Sequence, residues 1–181
     1  MRRGRVDCRE RGAKVRNVQD QRPESYEPRT VTETEQTEIG PYDRRPRFDT
    51  KVAVLLRDDL AGWQRLNVTA FLISGITARF PALVGEPYED ADGVKYLPML
   101  GQPVLIFEGS AELIRQAHQR ALRREIELSI FTNDLFATGN DFDNRAAVAK
   151  INTTDLDLVG IAIHGPRNQV DRTIKGAHMH P

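Results

Sequence analysis

Short apolar runs alternate with longer helix-like segments from residue 49 onward, and this alternation predicts the fold. Nearly continuous apolar runs of this length are typical of strands covered by helices on both faces. We predict four strands, at residues 51–57, 104–107, 126–131 and 156–164. Extended pieces at 82–88 and 94–97 flank a turn at 89–93, where Gly93 suits the positive φ angle of such a turn.

Helical periodicity fills the intervals between these strands. Residues 66–80 are apolar on almost every side, apart from a narrow stripe that includes Asn67 and Ser74. Residues 111–124 have one apolar face and follow a favourable N-cap, Ser110. Two shorter helical segments are predicted near 143–151 and 170–175. Strands interleaved with helices indicate an α/β domain built on a four-stranded sheet.

Residues 1–48 differ from the rest of the chain. Between residues 19 and 46, prolines and a Thr/Glu-rich run replace apolar periodicity, so we predict a disordered tail that cannot bury enough surface to fold. A second interpretation is that translation starts further downstream and the tail is not made. The candidate start positions are Val6, Val15, Val18 and Val31. Residues 49–181 are predicted to form a single domain of ordinary size.

The chain has 26 Lys and Arg and 26 Asp and Glu, so its formal net charge is zero. Residues 1–48 hold 12 basic and 9 acidic residues, whereas residues 49–181 hold 14 basic and 17 acidic residues. The domain therefore has a net charge of −3. Nucleic-acid binding relies on cationic contacts with phosphates, so we do not expect a nucleic-acid partner.

The remaining composition limits the location of the protein and its cofactors. The densest apolar run, 68–76, is far shorter than the roughly 20 residues of a membrane span. No apolar segment follows the basic start of the chain, so a secretory signal is not predicted. A single cysteine, Cys8, excludes disulfide frameworks and cysteine-based zinc sites. We expect a cytoplasmic protein with no membrane association, metal ion or cofactor.

Polar residues that follow the predicted strands give the best candidate site. Arg57 and Asp59 follow the first strand, and the stripe bearing Asn67 and Ser74 begins just after them. The third strand is followed by Thr132, Asn133 and Asp134. If these two strands run parallel, their polar groups meet at one edge of the sheet and could orient a water molecule or bind a polar ligand. Alternatively, Arg57 and Asp59 pair with each other or cap the helix, and the small residues of the stripe permit close packing.

The four histidines are scattered along the sequence. His118 is predicted to face solvent on its helix, and His178 and His180 would bind a metal only adventitiously. His164 lies at the end of a predicted strand, where ligand sites of open α/β sheets collect. It is therefore either a structural residue or a ligand contact.

Several segments of residues 49–181 resemble an uncharacterised bacterial family known as domain of unknown function 2000. They include KVAVLLRDDL at 51–60, VGEPYEDADG at 84–93, LFATG at 135–139 and VGIAIHGP at 159–166. That family is similar in turn to the second class of peptidyl-tRNA hydrolases. The resemblance implies a four-stranded mixed sheet with helices on both faces, commonly seen in dimers.

The hydrolase resemblance also suggests site residues. In those enzymes an R-x-D-L motif, matched here by residues 57–60, leads into a helix with a functional Lys whose position corresponds to Asn67. A D-A-G-x-T segment has a loose counterpart at residues 132–138, which adds Thr138 to the candidates. Because Asn67 stands where those enzymes have the lysine, this chain lacks the ammonium group that would contact phosphate or activate water.

Two functions are consistent with these observations. The first is a small-ligand-binding or regulatory homodimer that kept the hydrolase fold and lost its chemistry. Its expected contacts with a small polar ligand are Arg57, Ser74, Asn133, Asp134, Thr138 and His164. The alternative is a hydrolase of a small ester, an amide or a peptidyl-tRNA-like substrate. In that case Asp59 and Thr132 would position water and Asn67 would bind an oxygen.

Overall fold

The computed structural model describes residues 47–180, which form an α/β fold. The strands are β1 Thr50–Arg57, β2 Tyr88–Glu89, β3 Lys95–Tyr96, β4 Val104–Gly109, β5 Leu128–Thr132, β6 Leu158–Pro166 and β7 His178–Met179. The α-helices are α1 Gly62–Arg79, α2 Ala111–Arg123, α3 Asp141–Val148 and α4 Arg167–Thr173, and 3-10 helices span Pro81–Leu83 and Asn133–Ala137. Residues 1–46 of the predicted disordered tail, with its alternative start positions and Cys8, lie outside the described residues.

The main sheet has five strands in the order β5-β6-β1-β4-β7. β1 is parallel to β4 and antiparallel to β6, while β5 is antiparallel to β6 and β7 is antiparallel to β4. The sheet is therefore mixed, and β1, β4 and β5 point in the same direction. Four strands match predicted ones, but the expected count of four is wrong. β7 was missed because its two residues are too few to show periodicity.

Alternate residues of the central strand β1 contribute to two separate hydrophobic cores. Val52, Val54 and Leu56 belong to the core that contains the inner face of α1. Ala53 and Leu55 belong to the core beneath α2 and α4. All five side chains are almost fully buried, because successive residues of a strand point to opposite faces and helices cover both. This arrangement explains the continuous apolar run of β1.

Helix α1 begins at Gly62, earlier than the predicted start at residue 66. The side-chain oxygen of Gln64 accepts a hydrogen bond of 2.9 Å from the N–H of Ala61. Such a bond satisfies a backbone donor at the helix start, where intrahelical partners are lacking. The earlier start places Trp63 in the first turn of the helix instead of a loop.

The inner face of α1 comes very close to β6 at Gly160. A Cβ atom at this position would lie 2.8 Å from Cγ1 of Val68 and 3.1 Å from Cδ1 of Leu72. Ordinary carbon–carbon contacts are about 3.5–4.0 Å, so a side chain at residue 160 would collide with the helix. The absent side chain lets α1 approach the sheet and sets the position of the residues that α1 presents outward.

His118 is buried on α2, so the prediction that it faces solvent is wrong. His118 lies four residues after Ile114 and three before Ala121, so it belongs to the same buried face of α2. Burial lowers the pKa of His118 below its usual value, because removal from water disfavours the charged imidazolium.

Candidate functional site

The carboxyl ends of β1 and β5 lie at the same edge of the sheet. β5 runs antiparallel to β6, and β6 runs antiparallel to β1, so β1 and β5 have the same direction. Arg57 ends β1 and Thr132 ends β5, while Asp157 immediately precedes β6, which lies between them. The strand arrangement on which the sequence argument depended is therefore present.

Arg57 is held at this edge by two carboxylates. Its Nε lies 2.7 Å from Oδ1 of Asp59, and its Nη1 lies 2.8 Å from Oδ1 of Asp157. Burial by itself lowers the pKa of the guanidinium, but the hydrogen bonds and charges of Asp59 and Asp157 outweigh that effect and raise the pKa. Arg57 and Asp59 thus pair with each other, as the alternative interpretation proposed. Asp157 was missed because it lies 100 positions away in the sequence.

The three residues that follow β5 have different surroundings. Thr132 is 0% exposed, and its hydroxyl has no hydrogen-bond partner among residues 47–180. The N–H of Asn133 donates to the carbonyl of Asp157 at 2.8 Å, which links this turn to the start of β6. Asp134 is exposed in the first turn of the following 3-10 helix. Thr132 can therefore contact a ligand only after a rearrangement.

A groove beside α1 contains three other predicted site residues. It lies between α1 and the segment that runs from β5 to α3. One cavity, of about 470 Å³, is lined in part by Asn67 and Thr138, and a second, of about 430 Å³, is lined in part by Ser74. The two cavities share Phe71, Phe131, Leu135, Asp141 and Asn144. We call this continuous feature the aromatic groove.

Four aromatic side chains form a connected cluster in the aromatic groove. The ring centroids are separated by 5.6 Å between Trp63 and Phe136, by 5.2 Å between Phe136 and Phe131, and by 5.9 Å between Phe131 and Phe71. Tilted and edge-to-face contacts at these distances are favourable. Yet Trp63 is 62% exposed and Phe71 is 54% exposed. Large exposed apolar side chains beside a cavity are typical of a binding surface.

Asn67 occupies the middle of this exposed surface. Trp63, Asn67 and Phe71 lie four residues apart on α1, so they follow one another along one face of the helix. The Asn67 side chain is exposed, and within residues 47–180 its amide forms no hydrogen bond. Its N–H₂ donors and its oxygen acceptor are therefore available to a ligand.

Thr138 and Ser74 line the aromatic groove with hydroxyls that are already engaged. Thr138 Oγ1 donates to the carbonyl of Leu135 at 2.9 Å and lies against Oδ1 of Asn144. Ser74 Oγ donates to the carbonyl of Phe71 at 2.7 Å. Each oxygen retains acceptor capacity, so both side chains can still accept a hydrogen bond from a ligand.

His164 lies at the opposite edge of the sheet from Arg57. It is paired with Val52 near the start of β1, because β6 runs antiparallel to β1. Its ring packs edge-on against Phe80 with centroids 4.5 Å apart, and neither ring nitrogen has a hydrogen-bond partner in the described part of the chain. Burial lowers the pKa of His164. The strand direction, which the sequence did not reveal, separates His164 from the other strand-end candidates.

A buried carboxylate at the end of β4 was missed by the sequence analysis. Glu108 is 6% exposed, and its Oε1 lies 2.7 Å from Nη1 of Arg65 and 3.3 Å from Nε2 of His180. Arg65 also donates to the carbonyls of Asp58 and Leu60, at 2.7 and 2.9 Å. This cluster joins α1, β4 and the C-terminal segment. In the sequence, the one sign of this cluster is the acidic residue Glu108 at the end of the apolar run of β4.

Two kinds of feature are absent from residues 47–180. No helix in this range is long and apolar enough to cross a membrane. Likewise, the range contains no group of three or more His, Cys, Asp and Glu side chains placed to hold a metal ion.

The fold and groove define an α/β protein with a mixed five-stranded sheet and an open aromatic surface on its first helix. Residues 50–181 match the family of proteins of unknown function called DUF2000, so the chain belongs to that family. The family expected from the sequence motifs is thereby confirmed.

A solved structure provides a second comparison. The protein of unknown function Atu0240 from Agrobacterium tumefaciens strain C58 is 45% identical to this chain and superposes with a TM-score of 0.73. The match covers 75% of this chain and 100% of the other. No curated protein matches the chain. These comparisons establish the family and the fold.

Proposed function

We propose that this DUF2000 protein is a cytoplasmic protein that binds a small ligand in the aromatic groove. The observation that carries the proposal is the open amide of Asn67, which lies between the exposed rings of Trp63 and Phe71. Small-ligand sites are typically concave surfaces of several hundred Å³ with apolar walls and a few polar groups that fix orientation. The aromatic groove has this composition.

The polar groups of the aromatic groove favour recognition over catalysis. General acid–base catalysis requires a group that exchanges protons near neutral pH. The amide of Asn67 and the hydroxyl of Thr138 do not titrate in that range. The groove's carboxylate, Asp141, lies 3.0 Å from the guanidinium of Arg145. The carboxylate of the groove is thus held in an ion pair, and its other polar groups are neutral. Such a set of side chains suits the binding of a ligand better than acid–base catalysis.

Native mass spectrometry of the full chain, purified without denaturation, tests the proposal. We expect a non-covalently bound molecule on the wild type, or on wild type incubated with a metabolite extract, and its loss in Asn67→Ala. The matched control is Asn168→Ala, because Asn168 is an exposed asparagine of α4 outside the groove. Equal occupancy in all three proteins, or no bound molecule in the wild type, would contradict the proposal.

The alternative function, hydrolysis of an ester, an amide or a peptidyl-tRNA-like substrate, is supported by the meeting of strand ends near Arg57. It requires Asp59 to leave its 2.7 Å contact with Arg57 and the buried Thr132 hydroxyl to reach a substrate. The resemblance to the second class of peptidyl-tRNA hydrolases remains a prediction. Turnover of any of these substrates that is abolished in Asp59→Ala would establish hydrolysis and displace the binding proposal.

We also propose that the protein forms a homodimer, as the family resemblance implied. The proposal is supported by Leu66 on α1, which is 76% exposed, and by Leu97 after β3, which is 87% exposed. Exposed apolar side chains of this size are common where proteins associate. Light scattering is expected to give the mass of two chains for the wild type and of one chain for Leu66→Glu. A wild-type monomer at high micromolar concentration would contradict the dimer.

A further inference from the structure

We infer that the ligand of the aromatic groove is an uncharged, planar aromatic molecule with a carboxamide-like edge. This inference rests on the proposed function, since it specifies what the same groove recognises. Three properties of the groove carry it: the pairing of its charges, the spacing of its exposed rings and the free amide of Asn67.

The charged residues of the groove indicate the net charge of the ligand. Among the described residues that line the groove, the charged side chains are Asp141 and Arg145, which form an ion pair of 3.0 Å. Both side chains are largely exposed, 74% for Arg145 and 78% for Asp141, so the pair leaves the groove lining with no net charge. A charged ligand would lose hydration at the apolar walls with no net opposite charge to offset that loss. The groove therefore favours an uncharged ligand.

The spacing of the exposed rings indicates an aromatic ligand. Trp63 and Phe71 each lie four residues from Asn67, or about 6 Å along the axis of α1. Trp63 already contacts Phe136 and Phe71 already contacts Phe131, so a ligand ring would extend an existing aromatic cluster. Aromatic pairs are favourable at centroid separations of about 4.5–7 Å. A ring packed on Trp63 or Phe71 would bring its substituent within reach of Asn67.

The Asn67 amide specifies the edge of that ring. An asparagine side chain offers donors and an acceptor side by side, and a carboxamide or lactam offers the complementary pair. A ligand with acceptors only would leave the Asn67 oxygen without a donor after water is displaced, which is unfavourable. Both amide groups of Asn140 are bonded to Asp143, and Oδ1 of Asn144 is covered by Oγ1 of Thr138, so Asn67 is the amide of the groove whose donors and acceptor are both open.

Four probes of similar size separate these properties: benzamide, benzoate, benzylamine and cyclohexanecarboxamide. Benzamide has all three features, benzoate and benzylamine carry opposite charges at neutral pH, and cyclohexanecarboxamide has the amide without an aromatic ring. Protein-observed NMR of the full chain follows the indole N–H of Trp63, which is the single tryptophan, and the side-chain amide of Asn67. We expect benzamide to shift both signals saturably and the other probes to bind at least about tenfold more weakly.

The charge of residue 67 provides an independent check. Asn67→Asp keeps the size of the side chain and adds a negative charge, so benzylamine should then bind more tightly than benzamide. Asn168→Asp, outside the groove, should leave the wild-type order unchanged.

Several results would overturn the inference. In one such result, benzoate or cyclohexanecarboxamide binds as tightly as benzamide and shifts the same Trp63 and Asn67 signals. That result would reject the proposed class of ligand but would still show that the groove binds small molecules. Another is an absence of shifts with all four probes. The native mass spectrum of the wild type and Asn67→Ala decides the proposed function separately.

Discussion

Replacing Gly160 by alanine is expected to push α1 away from the sheet. The added Cβ would lie 2.8 Å from Cγ1 of Val68, 3.1 Å from Cδ1 of Leu72 and 3.2 Å from Cδ2 of Leu56. Ordinary contacts begin near 3.5 Å, so these contacts are too short by about 0.7, 0.4 and 0.3 Å. Overpacking generally costs about 1–3 kcal/mol. The three neighbours are almost fully buried and cannot swing into solvent, so we expect Gly160→Ala to lose about 2–3 kcal/mol.

Urea unfolding followed by circular dichroism measures this loss. Gly62→Ala is the matched control, because a Cβ atom at Gly62 would meet nothing within 4 Å. Its free energy of unfolding should stay within about 1 kcal/mol of the wild type. Val68→Ala should cost less in the Gly160→Ala background than alone, since it removes the shortest contact. A free energy of unfolding for Gly160→Ala equal to that of Gly62→Ala would refute the reasoning.

Two further predictions concern buried ionisable groups. Glu108→Ala removes the carboxylate partner of Arg65, which keeps its hydrogen bonds to the carbonyls of Asp58 and Leu60. Since Arg65 is also partly exposed, we expect a loss no greater than the lower end of the range for buried pairs, about 3 kcal/mol in urea unfolding. A loss below about 0.5 kcal/mol would mean that the ion pair does not stabilise the fold. Burial lowers the pKa of His118, so its contribution to stability is present above the usual pKa of 6.5 and is lost as the pH falls below it. Between pH 7 and 5 the free energy of unfolding should therefore fall less steeply in His118→Leu than in the wild type. The two slopes should differ by up to about 1.4 kcal/mol per pH unit. Equal slopes would contradict a lowered pKa of His118.

The sequence predicted the elements whose patterns depend on local burial. The strands β1, β4, β5 and β6 appear as apolar runs because helices cover both faces of the sheet, and this covering imposes the pattern directly. The predicted turn at 89–93 is confirmed by β2, β3 and a φ of 80° at Gly93. The boundaries of α1 and the existence of β7 were missed, because they depend on one capping bond and on a pairing with a distant strand.

The candidate site was also partly predictable from the sequence. Asn67, Ser74 and Thr138 line the aromatic groove, as a shared ligand site would require. Trp63 was missed because it was expected in a loop before α1. Phe71 was missed because an aromatic residue on an apolar helix is expected to belong to the core. Tertiary contacts between distant residues determine the directions of the strands, the ion pair of Arg57 with Asp157 and the burial of Glu108. Hydrophobic periodicity along the sequence does not report such contacts.

A crystal structure of the full chain with its co-purified or extracted ligand would show directly where that ligand binds. We expect electron density for an uncharged aromatic molecule beside Trp63 and Phe71, with hydrogen bonds to the amide of Asn67. Density for the ligand at the Arg57 edge, or anywhere else outside the aromatic groove, would contradict it.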